Sequence, residues 1–104
     1  MRLMSDLEKQ AEKLKALGHP IRLRIIKLLT EEGVDMYLNE IANKLRINRA
    51  NAKIHLKNLE NAGILKSRVV LVEGEAKALR FYRLLDFDIR VSPEKLKEVK
   101  DNGN

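Results

Sequence analysis

Apolar positions recur at helical spacing over the first third of the chain. Leu7, Ala11, Leu14 and Leu17 form one stripe, extended upstream by Leu3, and Ser5 with acidic neighbours marks a helix start. Gly18 closes that helix, and Pro20 opens a second at an N1-like position. Over residues 20–32, Ile21, Ile25, Leu28 and Leu29 share a face before Gly33 stops the run. "MYL" (36–38) reads as a very short strand, after which Asn39 caps a third helix that buries Ile41, Ala42 and Leu45. Only Arg46 and Ile47 then precede Asn48, the cap of a fourth helix that buries Ala52, Leu56 and Leu59 and stops at Gly63. Two helices joined by so tight a turn describe a helix-turn-helix.

Beyond Gly63 the apolar period changes from 3.6 to 2. "ILKSRVVLV" and "AKALRFYRLL" predict two strands, with "EGE" (73–75) supplying the glycine of a hairpin turn. "DFDIRV" leads to Ser92 and Pro93, the cap and first residue of a short helix over "EKLKEVK"; the final "DNGN" reads as a frayed end. The predicted class is mainly α with a β-hairpin (α+β), in the order H-H-(e)-H-H-E-E-H. Helices followed by a hairpin in this order make a winged helix-turn-helix. Residues 1–85 are expected to form the winged domain and 86–104 a C-terminal extension.

Composition narrows the chemistry. The chain has 104 residues and no cysteine, which removes disulfides, zinc–thiolate sites and thiol nucleophiles together. Its longest purely apolar run, Val69 to Val72, is far too short to cross a bilayer. "MRLMSDLEKQ" turns polar at once and does not read as a signal peptide, so a soluble cytoplasmic protein without a membrane partner is expected. Between Lys44 and Arg68 there are seven basic residues and one acidic residue, Glu60, so this segment carries the whole net charge of +6. Such segregation suits a polyanion partner, although a solvated face on a charge-rich protein would look similar.

The chain also resembles a family. "LKALGHPIRLRIIKLL" (14–29) is similar to the run joining the first two helices of ArsR-type winged-helix repressors. "LNEIANKLRINRANAKIHLKNLENAGIL" (38–65) resembles their helix-turn-helix, and "FYRL" (81–84) the end of their wing. The resemblance spans about residues 12–85 and implies a homodimeric DNA-binding transcription regulator, most simply a repressor. It departs from the family in three places. There are no cysteines, and the two histidines lie on different predicted elements, so no metal-sensing ligand set is evident. Ala50, Asn51, Lys53 and Ile54 stand where the family's reading helix usually shows Ser, Thr and His. The stretch from Gly74 to Tyr82 is longer than the usual wing.

At 100° per residue, Ala50, Ile54, Lys57 and Asn61 point away from the buried face of the fourth helix. A reading helix presents its first half to the bases, which makes Arg49, Ala50, Asn51, Lys53 and Ile54 the candidate readers. Lys57 lies nearer phosphate, and Arg46, in the turn before this helix, is a further candidate DNA contact. Arg and Lys match the acceptor edge of guanine and Asn51 the edge of adenine, while Ala50 and Ile54 fit thymine methyl groups. Ile54 could instead be an incidental exposed residue, or face inward on a helix whose phase is shifted by one position. Asn51 could equally bond local backbone. From the wing, Arg68, Lys77 and Arg80 can reach phosphates or the minor groove. Arg22 is open between a phosphate and a carboxylate such as Glu31 or Glu32.

His19, before Pro20, reads as a helix cap, and His55 as a packed, hydrogen-bonded side chain; neither has a partner at metal spacing. No activated nucleophile, catalytic carboxylate pair or phosphate-cradling glycine loop is present, so neither enzyme activity nor a cofactor is expected. Apolar residues at both ends, Leu3, Leu7 and Leu14 with Phe87, Leu96 and Val99, form a candidate dimer interface; alternatively they cover the monomer's own core. The leading expectation is a dimeric regulator on a pseudo-palindromic double-stranded DNA site. The competing one is a winged helix used for protein–protein assembly.

Overall fold

The computed structural model describes residues 3–101. Its elements are α1 (Asp6–Leu17), α2 (Pro20–Glu32), β1 (Met36–Tyr37), α3 (Leu38–Leu45), α4 (Arg49–Asn61), β2 (Leu65–Leu71), β3 (Ala78–Leu84) and α5 (Pro93–Glu98). The strands form one antiparallel sheet in the order β1-β3-β2, with Met36 opposite Tyr82 and Leu65 opposite Leu84. This is a winged helix-turn-helix.

Local chemistry sets most boundaries. Ser5 and Glu8 form a reciprocal capping box at the start of α1, 3.2 and 3.3 Å long. The His19 ring accepts from the Ile21 N–H at 3.2 Å, so this histidine caps α2 just before the helix-starting proline. The turn between α3 and α4 passes through Arg46, which takes a left-handed backbone at φ 55°. α4 ends in a Schellman motif. Ile64 N–H reaches Leu59 O and Gly63 N–H reaches Glu60 O, with Gly63 at φ +77°. A methyl group at Gly63 would meet nothing within 4 Å, so only backbone conformation opposes it. Gly63→Ala is therefore expected to cost about 1–2 kcal/mol in a denaturant melt, with the slope unchanged.

Three boundaries differ from those the sequence predicts. Tyr37, not Asn39, is the cap residue of α3: it is extended because it pairs with Phe81, and its N–H is held by Glu40 Oε1 at 3.1 Å. Asn39 thus lies inside the first turn. The hairpin connection is six residues long, not a tight turn at "EGE". Val72 N–H still bonds Lys77 O across it, and Gly74 takes φ +78° inside. α5 stops at Glu98, short of the predicted run; beyond Asp101 the expected frayed end lies outside the described residues.

The core is built around α4 and the sheet. Ile25, Ile41, Leu56, Leu59 and Ile64 are fully buried, joined by Leu29, Met36, Leu65 and Tyr82. From α1 the buried member is Ala16, while Ala11 and Leu14 of the predicted stripe are exposed. Phe87 packs against this same core.

Candidate nucleic-acid interface

The side chain of Asn48 accepts from the Asn51 N–H at 2.7 Å and fixes where α4 begins. With Ala52, Leu56 and Leu59 each fully buried, the phase of the helix follows. Arg49, Ala50, Asn51, Lys53, Lys57 and Asn61 are exposed, and Ile54 is 58% exposed among them. The isoleucine therefore faces outward, and the inward alternative is excluded. Arg46 is exposed at the preceding turn.

The start of α4 does not stand alone. Arg49 and Lys53 line a cleft of ≈170 Å³ with Tyr37, Leu38 and Asn39 on one side and Ala78 to Arg80 and Tyr82 on the other. Arg80 is thus brought from β3 to the start of α4. Its guanidinium donates to Ser67 Oγ at 2.9 Å, and that hydroxyl donates to Glu60 Oε2 at 2.5 Å. The chain Arg80–Ser67–Glu60 ties the wing to the far end of α4. It also occupies Glu60, the one carboxylate of the basic segment. Burial raises the Tyr82 phenol above its ordinary value, so it stays neutral at the floor of this cleft.

The other wing cations are placed differently. Val69 pairs with Arg80 and Arg68 with Phe81, so the pleat puts Arg68 and Arg80 on opposite faces. Arg68 lies over the Phe81 ring at 5.2 Å and is ion-paired with Asp35, whose other oxygen takes Arg83 Nε at 3.2 Å. Arg83, seconded by Arg68, holds the Asp35 carboxyl below its ordinary value against the opposing effect of burial. Lys77 pairs with Glu75 at 3.0 Å within the wing loop.

Arg22 pairs with neither Glu31 nor Glu32, which are paired with Lys27 and Lys44. It donates instead to His55 Nδ1 at 3.1 Å and to Ala16 O at 3.3 Å. The two histidine rings, on different elements, lie 4.5 Å apart at 50°. Each Nδ1 accepts a hydrogen bond, which leaves the hydrogen on each Nε2 and no free lone pair for a metal. Among the described residues no group of three or more His, Cys, Asp or Glu could hold an ion, and no helix is long and apolar enough to cross a membrane. Tyr37, Leu38 and Asn39 are cleft residues that no sequence pattern marks.

Comparison with known proteins follows the same lines. Residues 17–68, the span from the end of α1 into β2, match a helix-turn-helix domain model. An HTH-type transcriptional regulator of Methanocaldococcus jannaschii is 32% identical over 97 residues, covering 93% of this chain and 95% of that protein. A second regulator of that organism is 43% identical over 65 residues, 62% of this chain and 72% of its own. Among solved structures, the homodimeric winged helix-turn-helix DNA-binding domain of a possible ArsR-family regulator from Mycobacterium bovis is similar. Its TM-score is 0.62 at 28% identity, over 75% of this chain and 65% of that one. Agreement over nearly the whole sequence, and of fold with an ArsR-type domain, leaves one assignment: this chain belongs to the ArsR-type winged helix-turn-helix transcriptional regulators, which are DNA-binding proteins and not enzymes.

Proposed function

We propose that the chain acts as a homodimeric, sequence-specific repressor that lays α4 in the major groove. The observation that carries this reading is the outward face of α4. Arg49, Lys53 and Lys57 flank Ala50 and Ile54 there, and Arg80 stands across the cleft. Arg49, Asn51 and Lys53 supply polar readout, Ala50 and Ile54 apolar contact with thymine methyls, and Arg46 and Lys57 phosphate contacts. Arg80 and Lys77 extend the cationic surface onto the flanking backbone or minor groove. Arg68 joins them only if it leaves Asp35. Repression is the sign of regulation that the family resemblance implies.

Dimerisation is supported by apolar surface left open at the chain ends. Leu3 is 83% exposed, and Leu14 and Leu96 are each 41% exposed. Leu7 and Val99 are partly covered, Val99 facing a crevice it shares with α1 residues Asp6 to Lys13. Phe87 contributes less, because it already packs inward. A two-fold dimer would present its reading helices about 34–36 Å apart to a pseudo-palindromic site.

A salt titration of duplex binding tests the reading. With 6–10 phosphate contacts per dimer, affinity is expected to fall by roughly 10³–10⁵ between 50 and 200 mM salt. No duplex binding at low salt would overturn it and favour protein–protein assembly, for which the exposed Val69 and Leu71 of the wing offer a surface.

A further inference from the structure

We propose that His19, Arg22 and His55 form a proton-sensitive joint that positions the reading helix, so that mild acid weakens DNA binding. The inference rests on the reading of α4 as the DNA-contacting helix.

Arg22, in the first turn of α2, spans three elements. One nitrogen bonds the Ala16 carbonyl at the end of α1, and Nε bonds His55 in the middle of α4. His55 sits directly between outward Ile54 and buried Leu56, so its bond to Arg22 adds a polar tie between α2 and the reading face to the apolar packing of Ile25 and Leu29 against Leu56 and Leu59. His19 caps α2 with its own Nδ1 and lies against the His55 ring at 4.5 Å. Both contacts require a neutral imidazole, because a protonated ring carries hydrogen on both nitrogens and can accept from neither Arg22 nor Ile21.

Protonation of His55 would turn a hydrogen bond into a meeting of two cations, with a second imidazole alongside. The groups facing this cluster do not offset that. His19 and Arg22 come from the α2 side, and the adjoining crevice is lined by Glu12 and Lys15 of α1, whose charges oppose each other, and by the neutral Asn58 and Asn61 of α4. Burial pushes the His55 imidazole below its ordinary value, and His19 and Arg22 act in the same direction. A lowered value in the closed joint means that the open joint binds protons more readily. The closed state is then fully favoured above the ordinary histidine value of about 6.5 and loses ground as pH falls below it.

The sign of the effect is diagnostic. Protonating a histidine that merely sits near DNA adds positive charge and tightens binding, whereas opening the joint misplaces Lys53 and Ile54 and weakens it. The test is the affinity of the full chain for a duplex selected from a random-sequence pool, measured from pH 7.5 to 5.5 at constant ionic strength. For one linked proton, affinity is expected to fall measurably over that range, by at most about tenfold. The double variant His19→Asn, His55→Asn keeps an acceptor near each Nδ1 position and has no imidazole, since these are the only two histidines. It is expected to bind at pH 7.5 like the parent and to show a flat profile. A wild-type profile that is flat or rises in acid, or a variant that falls like wild type, would overturn the proposal.

A second arm needs no DNA. Nitrogen-15 spectra of the wild-type imidazoles should show His55 with an unprotonated Nδ1 at pH 8. Amide signals of Lys53 to Leu59 should move with the His55 midpoint. Signals that stay fixed while His55 titrates overturn the joint. Failure to bind any duplex at pH 7.5 counts against the DNA-binding reading alone, and this second arm then decides the joint by itself.

Discussion

Leu56→Ala is expected to lower stability by about 2–5 kcal/mol, the cost of emptying a fully buried leucine site. Leu56 has no exposed surface, and it packs within the same cluster as Ile25, Ile41 and Ile64. Small domains have only about 5–15 kcal/mol in total. At roughly 4–8 °C per kcal/mol for a domain of this size, the midpoint should drop by about 8–40 °C. A thermal melt of the variant beside Ile54→Ala makes the comparison informative. Ile54 lies two residues away but faces out, so its truncation should stay within about 0.5 kcal/mol of wild type. Equal losses at the two positions would show that the helix is rotated from the orientation described above.

Lys53→Ala is expected to reduce affinity for the selected site by roughly 5- to 150-fold, the equivalent of losing about 1–3 kcal/mol of base discrimination. Binding to unrelated duplex should change much less. Lys53 stands beside Arg49 in the cleft that β3 closes with Arg80, and the proposed docking of α4 brings that position to a base edge. Lys57→Ala makes the contrast, because the proposed docking places it one turn further on, nearer the backbone. Its loss should weaken all sequences about equally and lower the salt slope by about one. Side-by-side titrations on selected and unrelated duplexes decide the matter. A uniform loss for Lys53→Ala would reassign it to phosphate.

Features set by residues a few positions apart are legible in the sequence. The Ser5–Glu8 box, the His19–Pro20 junction and the αL glycine after α4 are local solutions to unpaired backbone groups at helix ends, so local pattern suffices to find them. The buried face of α4 is legible for the same reason, since three apolar residues at helical spacing leave little choice of phase. Asn39 misleads because a tertiary contact overrides its propensity. Pairing of Tyr37 with Phe81 draws the chain into strand geometry until one residue before α3 begins. The length of the wing loop depends on strand register, which apolar alternation alone does not set near a Gly-containing turn.

The candidate site is legible by halves. The outward residues of α4 follow from helical spacing, but three arginines bond side chains thirteen to forty-eight positions away. Arg80 bonds Ser67, Arg22 bonds His55 and Arg83 bonds Asp35. Charge counting treats every arginine as available to a polyanion. The structure instead divides them into those facing the cleft and those already committed to a carboxylate or an imidazole. Arg68 illustrates the difference: the same residue type, on the neighbouring strand, is turned to the opposite face and neutralised by Asp35.

The two-residue strand β1 has a consequence for assembly. It pairs with β3, so α3, α4 and β2 all lie within one long loop closed by this short ladder. The cleft beside Arg49 and Lys53 has one wall at the start of that loop and the other on its returning strand. Closing so long a loop carries an entropic cost that grows with its length and is met only by late, non-local contacts. A partly folded chain can therefore possess all its helices and still lack the surface on which they act.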